Sequence, residues 1–523
     1  VCVGDFTLRR ETELSHEEVK PRAARAALSG FTRHAVVRIM ALVGTLLLAR
    51  MIAPAGFGLF ATSQFLLSGL SALCVGGVIA ALVRRREALS EGDLRTAFTV
   101  QQTLAVLVLI VVWFVAPQIV LAYHLKPHDV WVIRAMSAIV LVMSLKSIPN
   151  AVLQRQVRHD LVAASEVAEY LIYLVTALLL AWLKWGVWAL VTATAVRHIT
   201  GMIILHLSAR MVPHWGLDRA KAGQLLKFAV PLQATGLVDL ATRAAAPLAA
   251  GLLFSVATVG VIGMANTMLD AVILQPIVLL SALQLRLFAR NQDSQDATRR
   301  LMAQSIYVGA AAVSPFAVFL ASLAPVIIGL LLPGSWQQVG PLIQGLFLSC
   351  IIQVVASPIS QASKALGMVG TSLGASVVNL ILQLSVLFAL EPYLGLTAYP
   401  IAATVGAVAY TLVLWVRVGR RIGGAPVGAI LPVVVASLGA GAIWWLAGVS
   451  HNLPIALAGL VLGGLVYVLL LMLLSGKEMA RYLRILGDAT LAKKPALLAK
   501  SAKLAALVDR AQIFGRGPKG SPS

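Results

Sequence analysis

LLLARMIAPAGFGLFATSQF, Leu46 to Phe65, joins two apolar runs through a short break of proline and small residues, and its outline returns as PLAAGLLFSVATVGVIGMAN, Pro247 to Asn266. Each copy reads as a helix, a break, a glycine beside an aromatic or aliphatic residue, and a second helix. Six predicted helices separate the copies, the spacing expected when one bundle is repeated and a pathway runs between the halves.

Outward from these copies the chain stays apolar. Its 523 residues are 59% hydrophobic and only 12% charged, far from the surface a soluble domain of this length needs. A bilayer's hydrocarbon core of about 30 Å takes about 20 apolar residues per helix. Runs of that kind are expected near 31–51, 57–83, 97–122, 130–150, 161–183, 186–208, 226–253, 257–284, 303–332, 341–363, 369–390, 394–418, 426–449 and 452–475. Pro315 and Pro325 are expected to bend the run at 303–332. The fold class is therefore an all-α polytopic membrane protein of about 14 transmembrane helices.

Charge gives the orientation. With the loops alternating, one side receives Arg84, Arg85, Arg86, Arg95, Arg155, Arg158, Arg210, Arg219, Lys221, Lys227, Arg286, Arg290, Arg299, Arg300, Arg417, Arg420 and Arg421, and the other has little beyond Arg50, Lys126 and Lys184. The positive-inside rule makes the first side cytoplasmic and puts both termini there. Trp131, Trp182, Trp185 and Trp336 fall at outer ends, where amphipathic rings favour the interface; Trp444 and Trp445 lie toward such an end. The net charge of +21 does not point to nucleic acid, because the basic residues are spread over polar breaks and tails instead of one soluble module.

Other chemistry is excluded or left without support. Cys2, Cys74 and Cys350 have neither metal nor disulfide spacing. The first 28 residues are polar and do not read as a cleavable signal, so the first apolar run is expected to insert the chain. Residues 476–523 read as a basic tail, amphipathic at first and rich in Gly, Pro and Ser at its end. No phosphate loop, H-E-x-x-H or nucleophile elbow is present, and no cofactor or metal is expected.

Few charges fall inside the apolar runs, where each costs about 2.5–3.5 kcal/mol unless paired, wetted or bound. Arg38, Arg197 and Arg243 are candidates to line a cationic cavity, with Asp239 and Asp270; the last four should share roughly one depth. The alternative is structural: Asp239 and Arg243 pair along one helix face, and Asp270 partners Arg197 or Arg243. Lys146, Glu166 and Glu169 are a candidate gate or coupling group about one turn from the cytoplasm, with a Lys146 to glutamate bridge as the simpler reading. Arg33 and His34 read as interfacial anchors. Gln233, Gln275, Asn379 and Gln383 could meet sugar hydroxyls or hold helices together. The pairs Gly370/Gly374 and Gly459/Gly463 read as close-packing motifs.

Three stretches carry a resemblance to a known family. They are LLLARMIAPAGFGLFA after the first helix; IPNAVLQRQVRHDLVAASEVAEY with WGVWALV, Ile148 to Val191; and LLKFAVPLQATGLVDL running on to LRLFARNQDSQDATRR, Leu225 to Arg300. Over roughly residues 29 to 420 the chain resembles the polysaccharide transporters, or Wzx-like oligosaccharide flippases, of the multidrug/oligosaccharidyl-lipid/polysaccharide superfamily. It departs from the pattern at Ala246 and Pro247, where relatives commonly have an acidic residue before the glycine, and at Ile262, where they often have Tyr. The resemblance implies two pseudo-symmetric six-helix bundles facing each other in a V, plus two C-terminal helices. The expected divisions are a polar segment 1–28, bundles 29–210 and 211–420, two extra helices 421–475 and a tail 476–523.

The implied activity is movement of a polyprenyl-diphosphate-linked oligosaccharide across the bacterial inner membrane for exopolysaccharide or lipopolysaccharide O-antigen synthesis, by alternating access and without enzymatic chemistry. Membrane lipids, a glycan polymerase and export proteins are the implied partners. The rivals are a membrane glycan polymerase or ligase, which would carry a large outer loop that this chain lacks, a cation-coupled multidrug exporter, and a scaffold for a glycan-synthesis complex.

Overall fold

The computed structural model describes residues 40–76, 82, 90–156, 158–210, 214–274, 281, 284–285, 287–292, 294–424, 430–449 and 458–475. Fourteen helices follow one another without a strand among these residues. They are α1 (Met40–Ala49), α2 (Pro54–Ser71), α3 (Glu91–Ala122), α4 (Val130–Arg155), α5 (His159–Trp182), α6 (Val187–Ala209) and α7 (Arg219–Leu253). Then come α8 (Val256–Leu269), α9 (Gln295–Leu331), α10 (Val339–Ala365), α11 (Val369–Leu394), α12 (Ala398–Arg421), α13 (Leu431–Val449) and α14 (Ala458–Ser475). Nine helical stretches among the described residues are long and apolar enough to cross a bilayer, and the protein is a multi-pass membrane protein.

Several helices start before their apolar runs because polar caps start them. Ser90 and Asp93 form a reciprocal capping box at the head of α3, the Ser90 amide donating to Asp93 Oδ2 at 2.9 Å and the Asp93 amide to Ser90 Oγ at 3.2 Å. Asp218 caps α7 by accepting from the Ala220 and Lys221 amides, and Ser294 caps α9 by accepting from that of Ala297. Hydropathy marks the stretch that lipid surrounds, whereas a cap satisfies the orphan amides wherever the first turn begins. The α9 helix is continuous through both Pro315 and Pro325.

The packing repeats with a period of six helices. In the first half α5 lies on α6, α3 on α4, α4 on α6 and α2 on α4; in the second, α11 lies on α12, α9 on α10, α10 on α12 and α8 on α10. Likewise α7 lies on α11, as α1 lies on α5, where a methyl at Gly44 would strike Leu174. Both α2 and α8 run into a single π-helical segment, Ala72–Gly76 and Asp270–Leu274. Such bulges loosen the backbone ladder and recur at functional sites.

The repeated segments that open the sequence meet at the principal contact between the halves, α2 on α8. Gly58 sits on the carbonyl of Val256 and Gly260 on that of Pro54, so that a Cβ at either position would overlap backbone. Around this crossing Arg50 Nε donates to the Leu331 carbonyl at 2.8 Å, and the Trp336 indole donates to the Ala49 carbonyl at 2.9 Å. Trp336 is fully buried, edge-on to Phe57. Its expected place in an interfacial belt is therefore corrected: the ring finds its polar partner across the two halves instead of in headgroups. Trp131, Trp182 and Trp185 are exposed. Trp444 is buried against Phe319, and Trp445 is exposed. The α2/α8 crossing closes one end of the molecule.

The opposite end carries the arginines. There Lys221 Nζ of α7 lies 3.2 Å from Asp93 Oδ1 of α3, and the Gly216 amide donates to Thr99 Oγ1 at 3.0 Å, so the strap between the halves is pinned to α3. The last two helices cover the second half. Gly459 and Gly463 let α14 close on Ala447 and Trp444 of α13, and the Tyr467 hydroxyl donates to the Ala311 carbonyl of α9 at 2.8 Å.

Candidate functional site

Three predicted residues come together inside the first half. Lys146 of α4 donates to both oxygens of Glu169 of α5, at 2.9 and 3.1 Å. Arg197 of α6 places Nε 3.7 Å from the same carboxylate, and its guanidinium lies over the Tyr170 ring at 5.7 Å. Ser165, one turn before Glu169, donates to it at 3.4 Å. One carboxylate thus faces two cations, and the cluster carries a net positive charge.

The local sequence makes this possible. Gly201 stands one turn after Arg197 on α6, and a methyl there would overlap the Glu169 carboxylate; the missing side chain is the space the carboxylate occupies. Lys146 lies nine residues before the end of α4 and Glu169 ten residues after the start of α5. At 1.5 Å per residue both lie about 14–15 Å along their helices from the arginine-rich end, level with Arg197 near the middle of α6. Because α4 runs on past the apolar stretch to Arg155 and α5 begins at His159, part of that distance lies outside the apolar runs.

The cluster is turned away from lipid. Trp188, Ile199, Ile203 and Leu207 mark the exposed apolar stripe of α6, and Val175, Leu179 and Trp182 that of α5. At the helical period Arg197, Glu166 and Glu169 fall off these stripes, with Glu166 on the far side. Glu166 is nevertheless exposed, and the Arg197 side chain retains 38% of its accessibility against 5% for Glu169. Both therefore look into an internal space. His198 is buried in the same region, and its Nδ1 has no hydrogen-bond partner among the described residues.

Asp239 and Arg243 lie on α7, and Asp270 begins the π segment that follows α8. The side chains of Asp239 and Arg243 lie outside the described residues, as do Arg38, Arg33, His34, Gln233, Gln275, the segment 1–28 and the tail 476–523. Counted along the axes, Asp239 and Asp270 are each fourteen residues from the α7–α8 turn, and Arg243 and Arg197 each ten from the same end of the molecule; the four fall within about one helical turn of depth. Asp270 is exposed and lies within electrostatic reach of Cys350 and Tyr399. The described carboxylate partner of Arg197 is Glu169. Sequence reasoning had split Arg197 from Lys146 and Glu169, and it had missed Ser165, Tyr170, His198 and Gly201. The spacing Ser165-x-x-x-Glu169 beside Arg197-x-x-x-Gly201 was the available signal. Among the described residues no group of three or more His, Cys, Asp or Glu could hold a metal ion.

With this geometry in hand, the sequence profile of the polysaccharide biosynthesis proteins matches residues 47–341, from the end of α1 into α10. The chain belongs to that family. The match takes in the Lys146–Glu169–Arg197 cluster and the α2/α8 crossing. Among curated proteins no sequence match was found.

The fold is shared with transporters of known structure. The lipid II flippase MurJ in an inward closed conformation superposes with a TM-score of 0.70 at 14% identity, covering 84% of this chain and 97% of that one. An inward-facing multidrug resistance MATE family transporter of the MOP superfamily gives 0.60 at 15% identity, covering 74% and 98%. A point mutant of the Vibrio cholerae MATE transporter VcmN gives 0.52 at 13%, covering 75% and 94%.

Proposed function

We propose that this protein is a flippase that carries a polyprenyl-diphosphate-linked oligosaccharide across the bacterial inner membrane, with both termini and the arginine-rich end cytoplasmic. The supporting observation is a cationic cluster at mid-depth that faces an interior space instead of lipid. Family membership and a fold shared with transporters bring the reading to glycan export. The sequence resemblance brings it to the lipid-linked donor used in exopolysaccharide or O-antigen assembly.

The roles within the cluster follow from its distances. Lys146 is within hydrogen-bond reach of Glu169 and holds it, whereas Arg197 stands further off and keeps more than a third of its surface. Arg197 is therefore the displaceable cation. A diphosphate offers it several acceptor oxygens in the geometry a guanidinium fork binds best. Arg243 and Arg38 complete the cavity, with Asp239 and Asp270 setting its charge, while Lys146, Glu166 and Glu169 hold the gate side. Binding releases Arg197 from its carboxylate, and the closed α2/α8 end opens as the two halves rock.

In a cell that depends on this protein for surface glycan, Arg197→Ala together with Arg243→Ala abolishes the glycan while the protein remains in the membrane. Unchanged glycan output defeats the assignment. Resistance to hydrophobic cations with normal glycan would instead favour the drug exporter.

A further inference from the structure

A second site lies on the outer surface of the second half. Helices α11 and α12 pack closely at mid-depth, where Gly406 seats against the side chain of Asn379 and a Cβ would overlap it. Toward the arginine-rich end they leave a groove of about 630 Å³ between Gly370, Gly374 and Val378 of α11 and Leu412, Val416 and Arg417 of α12. The sequence reading of Gly370 and Gly374 as close-packing residues is corrected here: a Cβ at either meets nothing within 4 Å. Their missing side chains open a channel instead of closing a contact.

We propose that this groove holds one acyl chain of a resident anionic phospholipid whose phosphate binds Arg417. Three observations select that occupant. From Gly370 to Val378 the groove runs eight residues along α11, about 12 Å, which nearly spans one leaflet of a hydrocarbon core about 30 Å thick. Its walls are almost wholly apolar, and Leu412 and Val416 belong to the exposed apolar face of α12. Its charged end carries Arg417, with exposed Arg420 and Arg421 one turn on, and the sole carboxylate on either helix, Glu391, is at the opposite end of α11. An apolar slot of leaflet depth, ending in guanidinium groups at headgroup level, complements a phospholipid of the leaflet it opens onto. The proposal is independent of the flippase reading.

Native mass spectrometry of the purified full chain, titrated with phosphatidylglycerol or phosphatidylcholine, tests it. Wild-type protein retains one phosphatidylglycerol in preference to phosphatidylcholine, and Arg417→Ala weakens that retention on the order of tenfold, the loss expected for a charged hydrogen bond. Gly370→Leu with Gly374→Leu fills the groove and removes the retained lipid with Arg417 intact. A phosphatidylglycerol bearing a photoreactive acyl chain labels residues of α11 and α12 along the groove in wild-type protein, a readout that needs no variant to fold. Equal retention of the two lipids, undiminished retention in the glycine double variant, or label spread evenly over the lipid-facing helices overturns the proposal. Displacement by a polyprenyl phosphate but not by excess phosphatidylglycerol also overturns it, assigning the groove to a substrate tail.

Discussion

Glu169→Gln removes the one negative charge that Lys146 and Arg197 share while leaving an isosteric acceptor. Breaking a buried pair by deleting one partner costs about 3–5 kcal/mol. The low end, about 3 kcal/mol, applies here, because the amide oxygen still accepts from Lys146 and Arg197 is over a third exposed. Lys146→Met costs less, about 1–2 kcal/mol, since Arg197 remains to neutralise the carboxylate. The double variant Lys146→Met/Glu169→Gln removes both members of the tight pair and costs only about 1–2 kcal/mol in all, a coupling of about 3 kcal/mol, at the top of the range for contacting residues. Arg197→Ala, by contrast, costs under about 1 kcal/mol of stability yet removes transport. The protein carries its own reporter: Cys74 and Cys350 are 0% and 5% exposed, so in a Cys2→Ser background a thiol-reactive dye labels them only on unfolding. Unfolding in mixed micelles with increasing dodecyl sulfate gives the four free energies. Additive losses in the double variant, or Arg197→Ala as destabilising as Glu169→Gln, would refute the division into a structural pair and a displaceable arginine.

The same assay separates two kinds of glycine. Gly260→Ala drives a methyl into the Pro54 carbonyl and should cost about 1–3 kcal/mol as overpacking, whereas Gly370→Ala meets no neighbour and should be neutral or stabilise by up to about 1 kcal/mol through helix propensity. Trp336→Phe loses the hydrogen bond to Ala49; spin labels at exposed Leu183 and Leu394 should then show a longer distance component, and an unchanged distribution would remove Trp336 from the closure. Arg134, stacked 4.3 Å from the Trp113 ring centroid and 5.2 Å from that of Trp131, should cost about 0.5–2 kcal/mol as Arg134→Met with glycan output unchanged.

What the sequence made legible follows the strength of each physical constraint. Lipid forbids unsatisfied backbone, so apolar length alone located the fourteen helices, and the recurrence of Leu46–Phe65 at Pro247–Asn266 pointed to a repeated bundle without showing that the two copies cross. Helix starts at Glu91, Arg219 and Gln295 were read late because they depend on caps in water. The charged residues were legible one by one, since each is costly in hydrocarbon, but their partners were not. That Arg197 meets Glu169 depends on how α5 and α6 turn about their axes, and that rotation is fixed by Gly201, whose role is an absence of atoms. Trp336 was misplaced for a related reason: its position near a helix end fits a headgroup belt equally well until the other half of the molecule supplies the Ala49 carbonyl.

The two halves repeat their packing but not their chemistry, and the difference bears on how the molecule works. At mid-depth each half seats a glycine of one helix on a polar residue of its neighbour: Gly201 on Glu169 in the first, Gly406 on Asn379 in the second. An amide is neutral and needs no counter-ion, whereas the carboxylate draws in Lys146 and Arg197. A matching carboxylate at the Gly406 contact would add a further insertion cost. The second half keeps its mid-depth charges elsewhere, Asp239 and Arg243 on α7 and Asp270 after α8. The α2/α8 end is closed by backbone, an indole and a guanidinium on carbonyls, none of which needs a counter-charge. Opening that end therefore breaks neutral contacts and hydrogen bonds, worth about 1 kcal/mol each in net terms or somewhat more for the charged donor. A change of that size lies within what one displaced arginine and a bound diphosphate can supply, so an anion held in the first half can move a closure formed between both.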